Sequence, residues 1–147
     1  MANVYDVARY VVNKLSTVSI WKLQKLCYYA QAWQIAWTDH PLFQNRIEAW
    51  RNGPVCPDLF HVCEGHYYIQ VSDIPETSCD SRHPLTEDEI DTIDRVIKHY
   101  GAKEPYELRE LAISEDPWKN ARGNIPENST CYNEITPENM GRYYSSL

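Results

Sequence analysis

The stretch K22-L-Q-K-L-C-Y-Y-A-Q-A-W33, inside a helix that the pattern places at about 19–37, decides the reading of this chain. Ile20, Leu23, Cys27, Ala30, Gln34 and Trp37 fall on one stripe at helical spacing, and Trp21, Tyr28, Ala32 and Ile35 fall on another. A helix apolar on nearly all sides belongs inside a fold, with other elements around it, rather than on a surface. Gln24, Lys25 and Gln31 interrupt it. Polar side chains there either satisfy partners within the core or line an interface groove. Together with Lys22 and Gln34 they also make a membrane span a poor reading of this segment.

Outward from that helix, Asn3 followed by Asp6 caps a first amphipathic helix at about 4–15, and Ser19 is placed to cap the central one after a short turn. Helices joined so tightly pack as an antiparallel pair. Residues 38–57 change character. Asp39, Pro41, Asn52-Gly53-Pro54 and Pro57 punctuate one short strand or hairpin, and Pro57 opens a brief helix to about Gly65. Tyr67 to Val71 is rich in strand formers and is expected to pair with 47–51, while 72–84 reads as an exposed loop. Thr86 with Glu89 forms a capping box for a helix that Gly101 closes. Helices from Pro105 to about Ile113, from Asp116-Pro117 to Ala121 and from Thr136-Pro137 to Tyr144 follow. The expected fold is mainly α: one compact helical domain over 1–147, built around the buried helix at 19–37, with a small β-hairpin or two-stranded sheet near 47–71.

The chain has 147 residues, a formal net charge of −7 and five cysteines, at 27, 56, 63, 79 and 131. An acidic chain without a Lys/Arg stripe argues against binding nucleic acid, whose phosphates are met by clustered cations, and favours basic partners. The odd cysteine count, its spacing, and an N-terminal MANVYDVARYVVNKL without a basic leader and apolar run suggest a reduced, cytoplasmic protein.

Cys56, His61, Cys63 and His66 are zinc-type ligands within eleven positions, and they define a metal-dependent enzyme as one reading. Their spacing opposes it. Structural zinc ligands come in close pairs, whereas Cys56 and Cys63 are separated by six residues, and Cys63 and His61 project from different sides of any helix there. Neither Cys27 nor Cys56 lies in a nucleophile motif, so catalysis has no positive signal, and neither a metal nor another cofactor is expected. Glu48 and Arg51 flank Trp50 just before Asn52-Gly53-Pro54, either as a presented recognition edge or as a turn packed on the central helix. Trp118 and Arg122 in DPWKNAR pose the same choice.

The order KLQKLCYYAQAW (22–33), PLF (41–43), IEAWRNGPVCPDLF (47–60), an acidic helix ending in YG (100–101), ELRELA (107–112) and DPWKNAR (116–122) resembles the Panacea antitoxin domain. This is the family of SocA-like and GepA-like phage-associated proteins, and the resemblance covers about residues 4–122. It implies an antitoxin that binds a co-encoded protein toxin and blocks it without chemistry of its own. SocA-like relatives imply an alternative, an adaptor that hands the toxin to the ClpXP protease. The resemblance marks Gln24, Lys25, Tyr29, Gln31, Trp33, Glu48, Trp50, Arg51, Gly53, Pro54, Trp118 and Arg122 as partner-binding or motif positions.

Overall fold

Nineteen residues with apolar side chains on every face have to be enclosed, and the computed structural model, which describes residues 1–76 and 84–147, is organised around that requirement. The central helix α2 (Ile20–Thr38) is about 28 Å long and buries thirteen of its residues. Around it pack α1 (Val4–Leu15), α4 (Glu87–Tyr100), α5 (Pro105–Ser114), α7 (Pro137–Tyr144) and the strand β3 (Gly53–Val55). Apart from Val55 and Cys131, the buried apolar side chains of the described residues form one connected cluster.

The capping chemistry sets the helix starts. Asn3 accepts from the Asp6 N–H while Asp6 accepts from the Asn3 N–H, and Thr86 and Glu89 do the same for α4. Ser19 accepts from the Lys22 N–H at the start of α2. Asp39 closes α2 in the left-handed region (φ 63°) and donates its N–H to Ile35. Gly101 closes α4, yet in the right-handed region (φ −65°), where a Cβ would collide with the Ile97 carbonyl oxygen. Its lack of a side chain, not left-handed freedom, is what suits it to that place.

Two small antiparallel sheets complete the described structure. β2 (Glu48–Trp50) pairs with β3 across a turn at Arg51-Asn52, with Ala49 opposite Pro54. β1 (Val18–Ser19) pairs with β4 (Tyr68–Ile69). This corrects the expected pairing of 67–71 with 47–51. One edge of β2 is closed by β3, and its other side is taken by the 133–135 segment: the Ala49 N–H donates to the Asn133 carbonyl and the Ile135 N–H to that of Ile47. The 68–69 strand therefore finds its partner beside the start of α2, where the Ile20 N–H donates to the Tyr67 carbonyl. α3 (Pro57–Val62) and α6 (Asp116–Arg122) fall where the prolines place them. Of the loop expected at 72–84, residues 72 and 73 belong to a turn of 3-10 helix (Val71–Asp73), and 77–83 lie outside the described residues. No helix among the described residues is long and apolar enough to cross a membrane.

Candidate functional site

Apart from Tyr29 and Trp33, the motif residues of α2, the hairpin and α6 converge on one construction, the β2–β3 hairpin braced against the central helix. Gln24 grips it from below. Its Nε2 donates to the Cys56 carbonyl (3.1 Å) and its Oε1 accepts from the Cys56 N–H (2.8 Å). One turn further on but one, Gln31 does the same for the incoming chain, donating to the Phe43 carbonyl (2.7 Å) and accepting from the N–H groups of Leu42 and Phe43. Both amides are buried, so each contact satisfies backbone groups that water cannot reach.

The far side of the hairpin is held through three consecutive carbonyls. Arg122 Nη1 donates to Ala49 (2.8 Å), the Trp118 indole N–H to Trp50 (2.9 Å) and Arg109 Nη2 to Arg51 (3.3 Å). Arg122 also donates through Nη2 to the carbonyls of Pro126, Glu127 and Ser129, so one buried guanidinium ties the hairpin to the loop after α6. The Trp118 ring lies against the Arg122 guanidinium at 4.7 Å. Trp50 is half-buried, its indole N–H on Glu48 (2.8 Å) and its ring edge-on to Phe60 and Tyr132. Arg51 and Asn52 alone present the exposed tip.

Two buried nitrogens depart from this economy of partners, Arg122 Nε and the Lys25 ammonium. Lys25 Nζ is fully enclosed, with no hydrogen-bond acceptor, 5.5 Å from the centre of the Trp21 ring. Burial, reinforced by the Arg109 charge, brings the ammonium pKa down from 10.5 to about 7. The hairpin crosses directly over it. Gly53 sits at φ 106°, and a Cβ there would lie 2.7 Å from Lys25 Cε, so both the backbone angle and the space require glycine. Pro54 next to it is buried against α2.

Toward the other end of α2, Tyr29 belongs to a buried polar cluster. Its hydroxyl donates to Glu115 Oε1 (2.7 Å), as does that of Tyr144 (2.8 Å), and Tyr28 and Tyr144 share a hydrogen bond at 3.0 Å. Tyr29 stacks flat on Tyr100 at 4.1 Å, and the Trp33 indole N–H donates to the Tyr100 hydroxyl (2.9 Å). Burial raises the Glu115 pKa, while the two tyrosine hydroxyls pull it back; the hydroxyls of Tyr28, Tyr29 and Tyr144 are pushed well above their ordinary range. Glu115, Tyr144, Tyr100 and Arg109 are the contributors that sequence reasoning did not single out. Only Arg109 and Glu115 carried a signal, as charged residues within or beside helices with apolar stripes.

The four zinc-type side chains do not come together. Cys56 and Cys63 are buried, and burial raises both thiols to about 11, whereas His61 and His66 are exposed and face Glu64 (3.2 Å) and Asp73 (3.7 Å). Among the described residues no three His, Cys, Asp or Glu side chains are grouped so that they could hold a metal ion. The four described cysteines are free and buried; Cys79 lies outside the described residues.

The family model described as "Antitoxin SocA-like, Panacea domain" matches residues 23–119, which span α2, the hairpin, α4, α5 and the start of α6. Neither the curated proteins nor the solved structures contain a match to the chain.

Proposed function

The chain belongs to the SocA-like antitoxins of the Panacea domain, and from that membership we propose that it neutralises a co-encoded protein toxin by binding it directly. The observation that carries the reading is the coincidence of the matched segment with the braced construction just described. The family pattern covers the α2 and hairpin residues and Trp118, which lock one another in place as a rigid binding body requires, and Arg122 adds its brace three residues beyond the matched segment. Preorganisation of this kind lowers the ordering cost of association, so surface complementarity alone can hold a partner. A net charge of −7 suits a basic partner surface. On this reading the protein acts in the cytoplasm, without a cofactor and without turning over a substrate.

The test starts from the adjacent gene. Expressed alone, its product should arrest growth; co-expressed with this chain, growth should return, and the two proteins should elute together from a sizing column. Rescue that needs ClpXP and leaves no stable complex would replace direct neutralisation by proteolytic delivery. A neighbouring product that is harmless, or arrest that this chain does not relieve, would end the antitoxin reading.

A further inference from the structure

One cavity among the described residues is walled mainly by rings. It holds about 320 Å³ and is lined by Trp33, Trp37, Arg95, Val96, His99 and Tyr100. Trp37 is 48% exposed, near the end of a helix most of whose residues are buried. Its neighbour Trp33, 5.3 Å away between ring centres, is pinned through its indole N–H to the Tyr100 hydroxyl, and Tyr100 is stacked on Tyr29. The aromatic floor is therefore rigid before anything binds.

The occupant's chemistry can be read from what already lies there. The Arg95 guanidinium sits 5.5 Å from the centre of the Trp37 ring, with its Nε held by Asp91 at 3.0 Å. A cation on an indole face with a carboxylate behind it is a favourable arrangement in water-exposed sites. Asp88, Asp91, Arg95 and His99 succeed one another at spacings of three and four, so the carboxylates of α4 run along the same face toward the cavity. Asp88 and Asp91 are both exposed. Both carboxylates lie beside the cavity, on the turns of α4 that precede Arg95 and His99 of its lining, where a basic ligand could reach them.

We propose that this trough is the docking site for a basic segment of the protein toxin. One apolar or aromatic side chain of that segment enters between Trp33, Trp37 and Tyr100, and its flanking Lys or Arg side chains pair with Asp88 and Asp91, taking over the position that Arg95 holds in the unbound protein. Tryptophan is among the side chains that dominate interface energetics when enclosed by a partner, and the exposed half of Trp37 is available for that. The inference rests on the antitoxin reading above and names the surface through which it operates.

The experiment titrates the purified toxin against the wild-type protein, Trp37→Ala, Asp91→Lys and the control Tyr68→Ala, by calorimetry at low and high salt, with a circular dichroism melt of each variant. Tyr68 is an exposed aromatic paired beside Ser19, at the opposite end of α2 from Trp37. Trp37→Ala should weaken binding at least thirtyfold. Asp91→Lys should weaken it at least tenfold and flatten its salt dependence, while Tyr68→Ala binds as wild type does. Should wild type bind and both trough variants match it within twofold, the trough is not the interface although the antitoxin reading stands. Wild-type protein that binds no toxin removes the reading and the trough together. A wild-type dimer that Trp37→Ala dissociates would show a second copy in the trough and overturn the proposal.

Discussion

Replacing Lys25 by methionine is expected to stabilise the protein near neutral pH, by an amount that shrinks as the solution becomes alkaline. The ammonium is 1% exposed, lacks an acceptor, and is roofed by the Gly53 backbone. Burial, with Arg109 adding, lowers its pKa from 10.5 to about 7. The unfolded chain keeps this proton up to about pH 10.5 whereas the folded one releases it near 7. Between those values the unfolded state binds more protons, so the Lys25 contribution to stability rises with pH. Below pH 7 both states are charged and the whole penalty stands; above 10.5 both are neutral and it vanishes. Integrating between the two pKa values, the penalty is about 4 kcal/mol at pH 7 and about 2 kcal/mol at pH 9. Methionine keeps the stem and drops the charge, so the stability of Lys25→Met minus that of wild type should fall from about 4 to about 2 kcal/mol over that interval. Taking the difference matters, because burial raises the Cys27, Cys56 and Cys63 thiols and so makes both proteins lose stability as unfolded cysteines ionise. Urea unfolding under reducing conditions at pH 7, 8 and 9, followed by tryptophan fluorescence, measures it. Parallel pH curves, or a methionine variant less stable than wild type at pH 7, would refute the reasoning and mean that the lysine has an acceptor that fixes its charge.

Gln24→Leu removes both partners of the buried Cys56 backbone and should cost about 1–3 kcal/mol in the same urea assay, with little change in secondary structure. Glu115→Gln keeps an acceptor for Tyr29 and Tyr144 and removes a buried charge. Since burial raises the Glu115 pKa above its unfolded value of 4.5, the folded state holds the extra proton, and wild-type stability falls as pH rises from 4.5 through the folded pKa. Thermal melts should therefore show wild type gaining on Glu115→Gln when the pH is lowered from 7 to 5.

Helix starts were readable because they are local. Asn3 with Asp6, Ser19, Thr86 with Glu89 and the prolines at 105, 117 and 137 act within one turn of themselves, and every one of them sits at the start of the helix it announced. The hairpin was readable from Asn52-Gly53-Pro54. Its neighbours were not: strands of two or three residues carry almost no period, so nothing in Tyr68-Ile69 distinguishes Val18-Ser19 from 47–51 as a partner. Gln24 and Gln31 could be flagged as polar residues in an apolar helix, but their acceptors are backbone groups 32 and 12 residues away, and a backbone acceptor leaves no mark on the sequence.

The zinc-type residues were adjacent along the chain and ended up divided between core and solvent, whereas Tyr29, Glu115 and Tyr144 were far apart and ended up sharing one carboxylate oxygen. Periodicity and capping follow from bonds spanning three or four residues, so a one-dimensional string dictated which segments are helical, that α2 lies innermost, and which family pattern the chain carries. Which hydroxyl meets which carboxylate, why Lys25 is left without an acceptor, and that Trp37 opens onto a trough lined by Arg95 and His99 depend on how the other helices close around that core. That closure is a property of packing in three dimensions, in which residues a hundred positions apart compete for the same buried space.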